Sequence, residues 1–453
     1  MKKRLFLFFL FLFFNMPSFL KAQETTTISL RNGIEILLKE NHGLKATQFL
    51  IKAEQDNYSA ALSSMNPVVS LQETAGATNN PAYVFMDKLE QQSFGIGDLL
   101  GAPNTFNFPS PRFNFQSSLV ISKPLFDDQA IANQHIAYDN WLQQKLLYQK
   151  LQKDKVFQFL QLWLNLKAAH LEEKFAQEDV DDAKLHFEIT KSRYQSGLGL
   201  YSDKLRAKAD WLKSKQYLNA VKTNIAILEE NIGILLGYNN PVDIKGNSIS
   251  WDLNDLSRYT QAIDQTLKIQ IQNLKAQKTT DEIKSLEAQK HPRVFFNASY
   301  DLYDHRFPFG NEGSSWQVAL VAQWNIFGGG QNTHRIHAEE NQVESLIEQV
   351  KDLKSQRLSQ IYSSYFQAKE GLKNIDLRQA ELKSSLEALR IVRLRYQNGF
   401  STFSDLYDAL LAVDEARLNL VKTQVQYWNS ILSLNYLSEN LFHWLNFSLG
   451  EAQ

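Results

Sequence analysis

Asp405 and Asp408 stand three residues apart where an apolar-periodic stretch begins, so on a helix both carboxylates project from one face. Repeated around an axis by several copies of the chain, such a face would line an opening with negative charge, attracting cations and disfavouring anions. The alternative is that acids in a first helical turn complement the helix dipole. His334 and His337, with Glu340 one step further, share a helix face at a spacing that suits a metal ion. Histidines on a polar helix are ordinarily solvated, so neither a metal site nor any cofactor is expected. The sequence has no nucleophile elbow, phosphate loop or metalloprotease motif, and nothing in it supports an enzyme.

The elements that must position these residues occur twice. Arg193-Tyr194-Gln195-Ser196-Gly197 and Ser202-Asp203 return as Arg395-Tyr396-Gln397-Asn398-Gly399 and Ser404-Asp405 at an offset of 202 residues. Val221-Lys222-Thr223 returns as Val421-Lys422-Thr423 at an offset of 200. A duplication of this period builds one architectural unit twice, here expected as 23–246 and 247–453, around a shared axis or cavity. In the first copy only Asp203 has an acid's place, and Arg206 stands where the second acid would be.

Residues 1–22 combine a basic start, an apolar run from Leu5 to Phe14 and a cleavage point after Ala22, which reads as a secretory leader. Its loss would remove four basic residues and no acid, taking the net charge from -1 to -5, which argues against nucleic acid as a partner. The chain has no cysteine, which excludes disulfides, thiol catalysis and a lipid-anchored cysteine. After residue 22 no apolar run reaches the length of a spanning helix, so only a β-barrel could hold this chain in a membrane.

From about Gln331 to Tyr396, steps of three and four place Leu346, Val350, Ile361, Ala368, Leu389 and their neighbours on a narrow apolar seam with the coiled-coil period. The first half repeats this over about 128–194, with a denser apolar set around Phe157 to Leu166. Each such helix would be about 100 Å long. Each ends at its Tyr-Gln-x-Gly element, where glycine suits a left-handed cap, and helices return over about 202–236 and 402–441. Shorter helices, about Leu44 to Ser64 and Ile263 to Gln289, precede each half.

Between each short and each long helix the period changes to two. Trp316, Val318, Leu320, Ala322, Trp324 and Ile326 alternate with smaller or polar residues over a strand of about 316–326. Its tryptophans, about 26 Å apart along a strand, suit the two interfaces of a membrane. A strand of about 293–303 precedes it, and the first half supplies strands of about 68–78 and 113–123. The connections 76–111 and 304–315 are rich in Gly, Asn and Pro and read as outward loops. Membrane girdles and helix seams account for most of the 29 Phe, 17 Tyr and 8 Trp.

Four strands cannot close a barrel. Two chains would give eight strands with a filled interior, and three would give twelve with room for a wet lumen. The duplicated order of helix, strand, strand, long helix, Tyr-x-x-Gly and helix resembles the TolC family of outer-membrane efflux proteins over nearly the whole mature chain. Pro124-Leu125-Phe126-Asp127 and Ile326-Phe327-Gly328-Gly329 resemble the family's junction from strand to helix. The resemblance implies a homotrimer with a shared twelve-stranded barrel in the outer membrane, in contact with its lipid, and a long α-helical tunnel across the periplasm. It also implies a passive exit duct for efflux or type I secretion, joined through a periplasmic adaptor to an inner-membrane pump of RND or ABC type.

By the same resemblance Asp405 and Asp408 match the acidic constriction at the periplasmic entrance, and Tyr396 matches the gate tyrosine. Tyr194, Gly197, Tyr396 and Gly399 would lie at the adaptor-contacting tips, and Trp316 and Trp324 in the membrane girdle. A gate arginine is expected where this chain has Ser401, and Arg393 and Arg395 stand near enough to substitute. A chain of this grammar could instead be an exported coiled-coil spacer or adhesin with its strands in a small soluble sheet. Extraction by salt or carbonate without detergent would favour that reading.

Overall fold

A seam with steps of three and four keeps one side of a helix apolar, and in this computed structural model the two stretches that carry it form unbroken helices. The structure describes residues 25–100, 107–246 and 249–447, so the expected leader at 1–22 lies outside the described residues. The first long helix is Asp128–Gln195 and the second Gln331–Gln397, and neither contains proline to interrupt its hydrogen bonds. Their return helices are Tyr201–Leu236 and Phe403–Leu437. Seam residues Leu346, Val350, Ile361, Ala368 and Leu389 are buried within the chain, whereas Leu372 and Leu386 stay exposed. No described helix is long and apolar enough to cross a membrane.

Both long helices stop by the same device. Gly197 and Gly399 take φ of +75° and +80°, a region that costs a glycine little. Gly197 and Leu198 donate to the carbonyls of Tyr194 and Arg193 at 3.1 and 2.9 Å. Gly399 and Phe400 donate to those of Tyr396 and Arg395 at 3.1 and 2.8 Å. This paired closure satisfies carbonyls that a bare helix end would leave open.

The chain forms two compact units. One comprises the described parts of Met1–Thr47, Tyr148–Leu267 and Lys354–Gln453. Its largest core sets Leu30, Ile34 and Leu37 of helix Leu30–Glu40 against Phe159, Leu160, Trp163 and Leu164 of the first long helix and Ile232 and Leu236 of its return helix. Burial among several elements explains the denser apolar set around Phe157 to Leu166. Packing is close enough that a Cβ at Gly33 would lie 2.5 Å from the Phe159 ring. A parallel pair, β1 (Thr26–Ser29) and β4 (Val242–Lys245), borders this core. A second core gathers Tyr259, Ile361, Tyr427 and Ile431.

The other unit, Gln48–Leu147 with Lys268–Leu353, holds an antiparallel sheet of β2 (Val68–Thr78), β3 (Arg112–Phe126), β5 (Arg293–Asp304) and β6 (Gly313–Gln323), in the order β2-β3-β5-β6. Register sorts the faces. Leu71, Leu119, Tyr300 and Trp316 lie opposite one another across the four strands, and so do Gln72, Ser118, Asp301 and Ser315 one residue along. Side chains alternate along a strand, so the first row belongs to an apolar face and the second to a polar one. Most of that apolar face is exposed on the single chain, including Val69, Leu71, Trp316, Val318 and Leu320. Within the chain, β2 and β6 each leave one edge unpaired.

Three expectations need correction here. β6 ends at Gln323, which pairs with Arg293, so Trp324 lies just beyond the strand. Pro292 precedes Arg293 and has no N–H to continue the ladder. The Trp324 indole instead donates to the carbonyl of Lys290 at 2.7 Å. The connection after β2 is not simply an outward loop, because it contains helix Pro81–Glu90. Asp87 accepts from Asn114 at 3.0 Å and Gln91 donates to it at 2.8 Å, which sets this segment against the polar face of the sheet. The later connection is shorter than expected, since β5 runs to Asp304 and β6 begins at Gly313.

Candidate functional site at the helix tips

Where the long helices turn back, duplicated residues meet different surroundings. Tyr396 is 4% exposed and packs with Ala207, Leu389, Phe403 and Leu406. Its ring meets that of Phe403 edge-on at 6.1 Å. Its counterpart Tyr194 is 39% exposed and lies against Tyr201 at 5.3 Å, with Lys204 over both rings. The two tips therefore share a backbone design but not a side-chain role.

Arg193 joins them. Its guanidinium lies 5.0 Å from the centre of the Tyr396 ring, and Nη1 donates to the Tyr396 carbonyl at 2.9 Å. A planar cation that stacks on an aromatic ring and bonds its backbone is a geometry arginine favours. The cation over Tyr396 is neither Arg393 nor Arg395, which stand near Ser401 in sequence, but Arg193, which opens the first Arg-Tyr-Gln element. Arg393 faces elsewhere, donating to Asp182 at 2.9 Å beside the buried His186. Ser401 donates its hydroxyl to Asp405 at 2.9 Å.

Asp405 is held as a cap. Its carboxylate accepts from the Thr402 backbone at 2.8 Å, and its own N–H donates to the Thr402 hydroxyl at 3.2 Å, a reciprocal box that closes the start of the second return helix. Hydrogen bonds from Thr402, then Ser401, hold the Asp405 carboxyl below the usual carboxylate range. Asp408, one turn further on, is exposed. Capping and a charged rim are compatible, because a capped carboxylate stays ionised. His337 pairs with Glu340 at 2.9 Å, and His334 does not join them within metal-ligating distance.

Deeper in the same unit, about ten residues along each return helix, carboxylates from three helices gather near Arg417 and Lys213. Asp179 of the first long helix, Asp210 of its return helix and Asp414 of the second return helix line a cavity of about 260 Å3 together with Arg417. Arg417 donates to Asp179, and to Glu178 at 2.8 Å. Burial, then the charge of Asp179, pushes the Asp414 carboxyl up to about 7. Burial also raises Asp179 and Asp210, against the opposing pull of Arg417 and Lys213 respectively. No local sequence pattern marks this cluster, since its members come from three helices.

Residues 33–238 and 258–438 match the family described as outer membrane efflux protein. The fold is similar to that of CusC, with a TM-score of 0.78 at 14% identity, covering 91% of this chain and 93% of CusC. It is also similar to the outer membrane protein VceC of Vibrio cholerae, with a TM-score of 0.75 at 16% identity over 90% of this chain and 95% of VceC. The CmeC outer membrane channel of Campylobacter jejuni gives a TM-score of 0.75 at 15% identity, covering 94% of this chain and 90% of CmeC. Among curated protein sequences none matches significantly.

Proposed function

The chain belongs to the outer membrane efflux protein family, and from that premise we propose that it is the passive exit duct of a tripartite efflux or type I secretion system. In this reading three copies share a twelve-stranded barrel in the outer membrane, and their helices form a tunnel that meets a periplasmic adaptor and, through it, an inner-membrane pump. The observation that carries it is the sheet: four antiparallel strands with two unpaired edges, an apolar exposed face and a polar opposite face. In hydrocarbon every backbone polar group needs a partner, so such a sheet must close with others. Three copies supply twelve strands around a polar lumen.

Within this duct the two repeats, 23–246 and 247–453, each supply a strand pair and a tip. Asp405 and Asp408 form the acidic ring at the periplasmic entrance, and Tyr396 is the gate residue, with Arg193 as its cation. Tyr194, Gly197, Tyr396 and Gly399 present the tips to the adaptor, and Trp316 and Trp324 mark the membrane girdle.

The test is to count the symmetry of detergent-extracted protein by electron microscopy and then record it in planar bilayers. Three-fold particles that form a cation-preferring channel are expected. Asp405→Ala with Asp408→Ala should lower that preference and relieve block by multivalent cations. Solitary or two-fold particles without conductance would remove the duct reading, and a double variant with unchanged selectivity would remove the acidic ring.

A further inference from the structure

His170 sits in the middle of the first long helix, Glu229 towards the end of its return helix, and Asp243 in β4, where pairing with Thr27 fixes the backbone. Three separate elements thus bring an imidazole and two carboxylates together. One ligating atom from each lies within 4.8 Å of the others. Nε2 of His170 lies 3.4 Å from Asp243 Oδ1, while Nδ1 faces Glu173, one turn along the same helix, at 3.7 Å. We propose that His170, Glu229 and Asp243 bind a divalent transition-metal ion, with Glu173 as the positioning residue behind the histidine.

Donor chemistry and local charge both support this site. Three atoms no more than 4.8 Å apart lie within about 2.8 Å of a common centre, against metal bonds of about 2.0–2.2 Å, so closure needs side-chain shifts of about 0.6 Å. An imidazole with two carboxylates suits zinc, cobalt or nickel, whereas calcium and magnesium ask for a shell of oxygens. Glu173 stands 3.7 Å from Nδ1, and a small side-chain rotation would let it accept from Nδ1–H and leave the Nε2 lone pair to the ion, the usual arrangement behind a metal-bound histidine. The negative charge is poorly offset. Lys245 reaches only to 3.9 Å of Asp243 and is largely exposed, and the Glu229 carboxylate has no hydrogen bond or ion pair among the described residues. An ion here would tie β4, and through it β1, to two helices. The site stands independently of the transport reading.

The test uses the full chain in detergent, stripped with a chelator and dialysed against Zn2+ at pH 7.5, with Co2+ absorption as a second readout. One saturable ion per chain is expected, with a higher thermal midpoint when it is bound. Glu229→Gln, an isosteric change on the helix surface, and His170→Ala should each weaken binding at least tenfold while circular dichroism and assembly stay unchanged. Glu173→Gln should keep the stoichiometry, weaken binding about tenfold and alter the Co2+ spectrum. His305→Ala probes the other His and carboxylate group, Asp304, His305 and Glu312 in the β5–β6 turn, and should leave binding intact. The proposal is overturned if Zn2+ does not saturate at one per chain. It is also overturned if Glu229→Gln and His170→Ala bind as the parent does, if His305→Ala abolishes binding, or if only a metal-independent effect of His170 protonation appears.

Discussion

Asp414→Asn should stabilise this protein at pH 8 and by only about a third as much at pH 5. An acid whose folded pKa is raised holds its proton more tightly in the folded than in the unfolded chain. Its contribution is therefore most favourable below the ordinary value and is lost as pH rises through the folded one. For Asp414 that window runs from 3.8 to about 7. At ~1.36 kcal/mol per pH unit the interval sets a ceiling of about 4 kcal/mol. The group is partly open to the cavity and to solvent, and screening reduces the figure to about 1–2 kcal/mol. Asparagine keeps the shape and cannot ionise, so it removes this penalty. A chain of 453 residues unfolds with an entropy of roughly 0.9 kcal/mol/K, from ~2.1 cal/mol/K per residue, so the midpoint should rise by about 1–2 °C at pH 8. Thermal melts of parent and variant at pH 5 and pH 8, followed by circular dichroism, measure this. A variant that melts lower than the parent at pH 8 would refute the reasoning. It would mean that Arg417 needs the Asp414 charge more than the buried carboxylates repel it.

Substitutions at two further positions probe contacts that cross the duplication. Glu439 receives Lys153, the Arg357 guanidinium at 3.2 Å and the Leu267 N–H at 3.2 Å. Glu439→Gln leaves the Lys153 ammonium buried beside Arg357 and should cost about 3–5 kcal/mol, seen as a midpoint several degrees lower. An unchanged midpoint would show that Asp154 can compensate Lys153 alone. Arg193→Ala removes both the ring contact and the carbonyl bond to Tyr396, and should raise the fraction of time the channel spends open in bilayers. Arg193→Lys, which keeps charge without the planar fork, should fall between the two. Openings of parent frequency in both would place the closure on other residues.

Legibility followed the range of the interaction. The long helices and their glycine stops depend on steps of three and four and on a left-handed residue, all within one turn, and those signals stand in the sequence twice. Helix Pro81–Glu90 had a local signal too, since Asn80 caps it by accepting from Ala82 and Pro81 fills its first position. A composition rich in Gly, Asn and Pro hid it. Thr402-x-x-Asp405 is likewise a capping pattern, readable in advance, which gives Asp405 a structural task beside any electrostatic one.

Along β2 the apolar face carries Val69 and Leu71 and then the acid Glu73, for a reason outside the strand. Glu73 lies on the apolar face and bonds Ser117 of β3, so its polarity is answered across the ladder by a residue far along the chain. Arg193 and Asp414 are harder still to foresee. Their partners Tyr396 and Asp179 lie more than 200 residues away in sequence and meet them only when the two repeats pack side by side. A duplicated sequence announces two similar tips. The contacts that make the tips unequal arise between the copies, which is why Tyr396 is locked under Arg193 while Tyr194, with the same neighbours in sequence, remains half open to solvent.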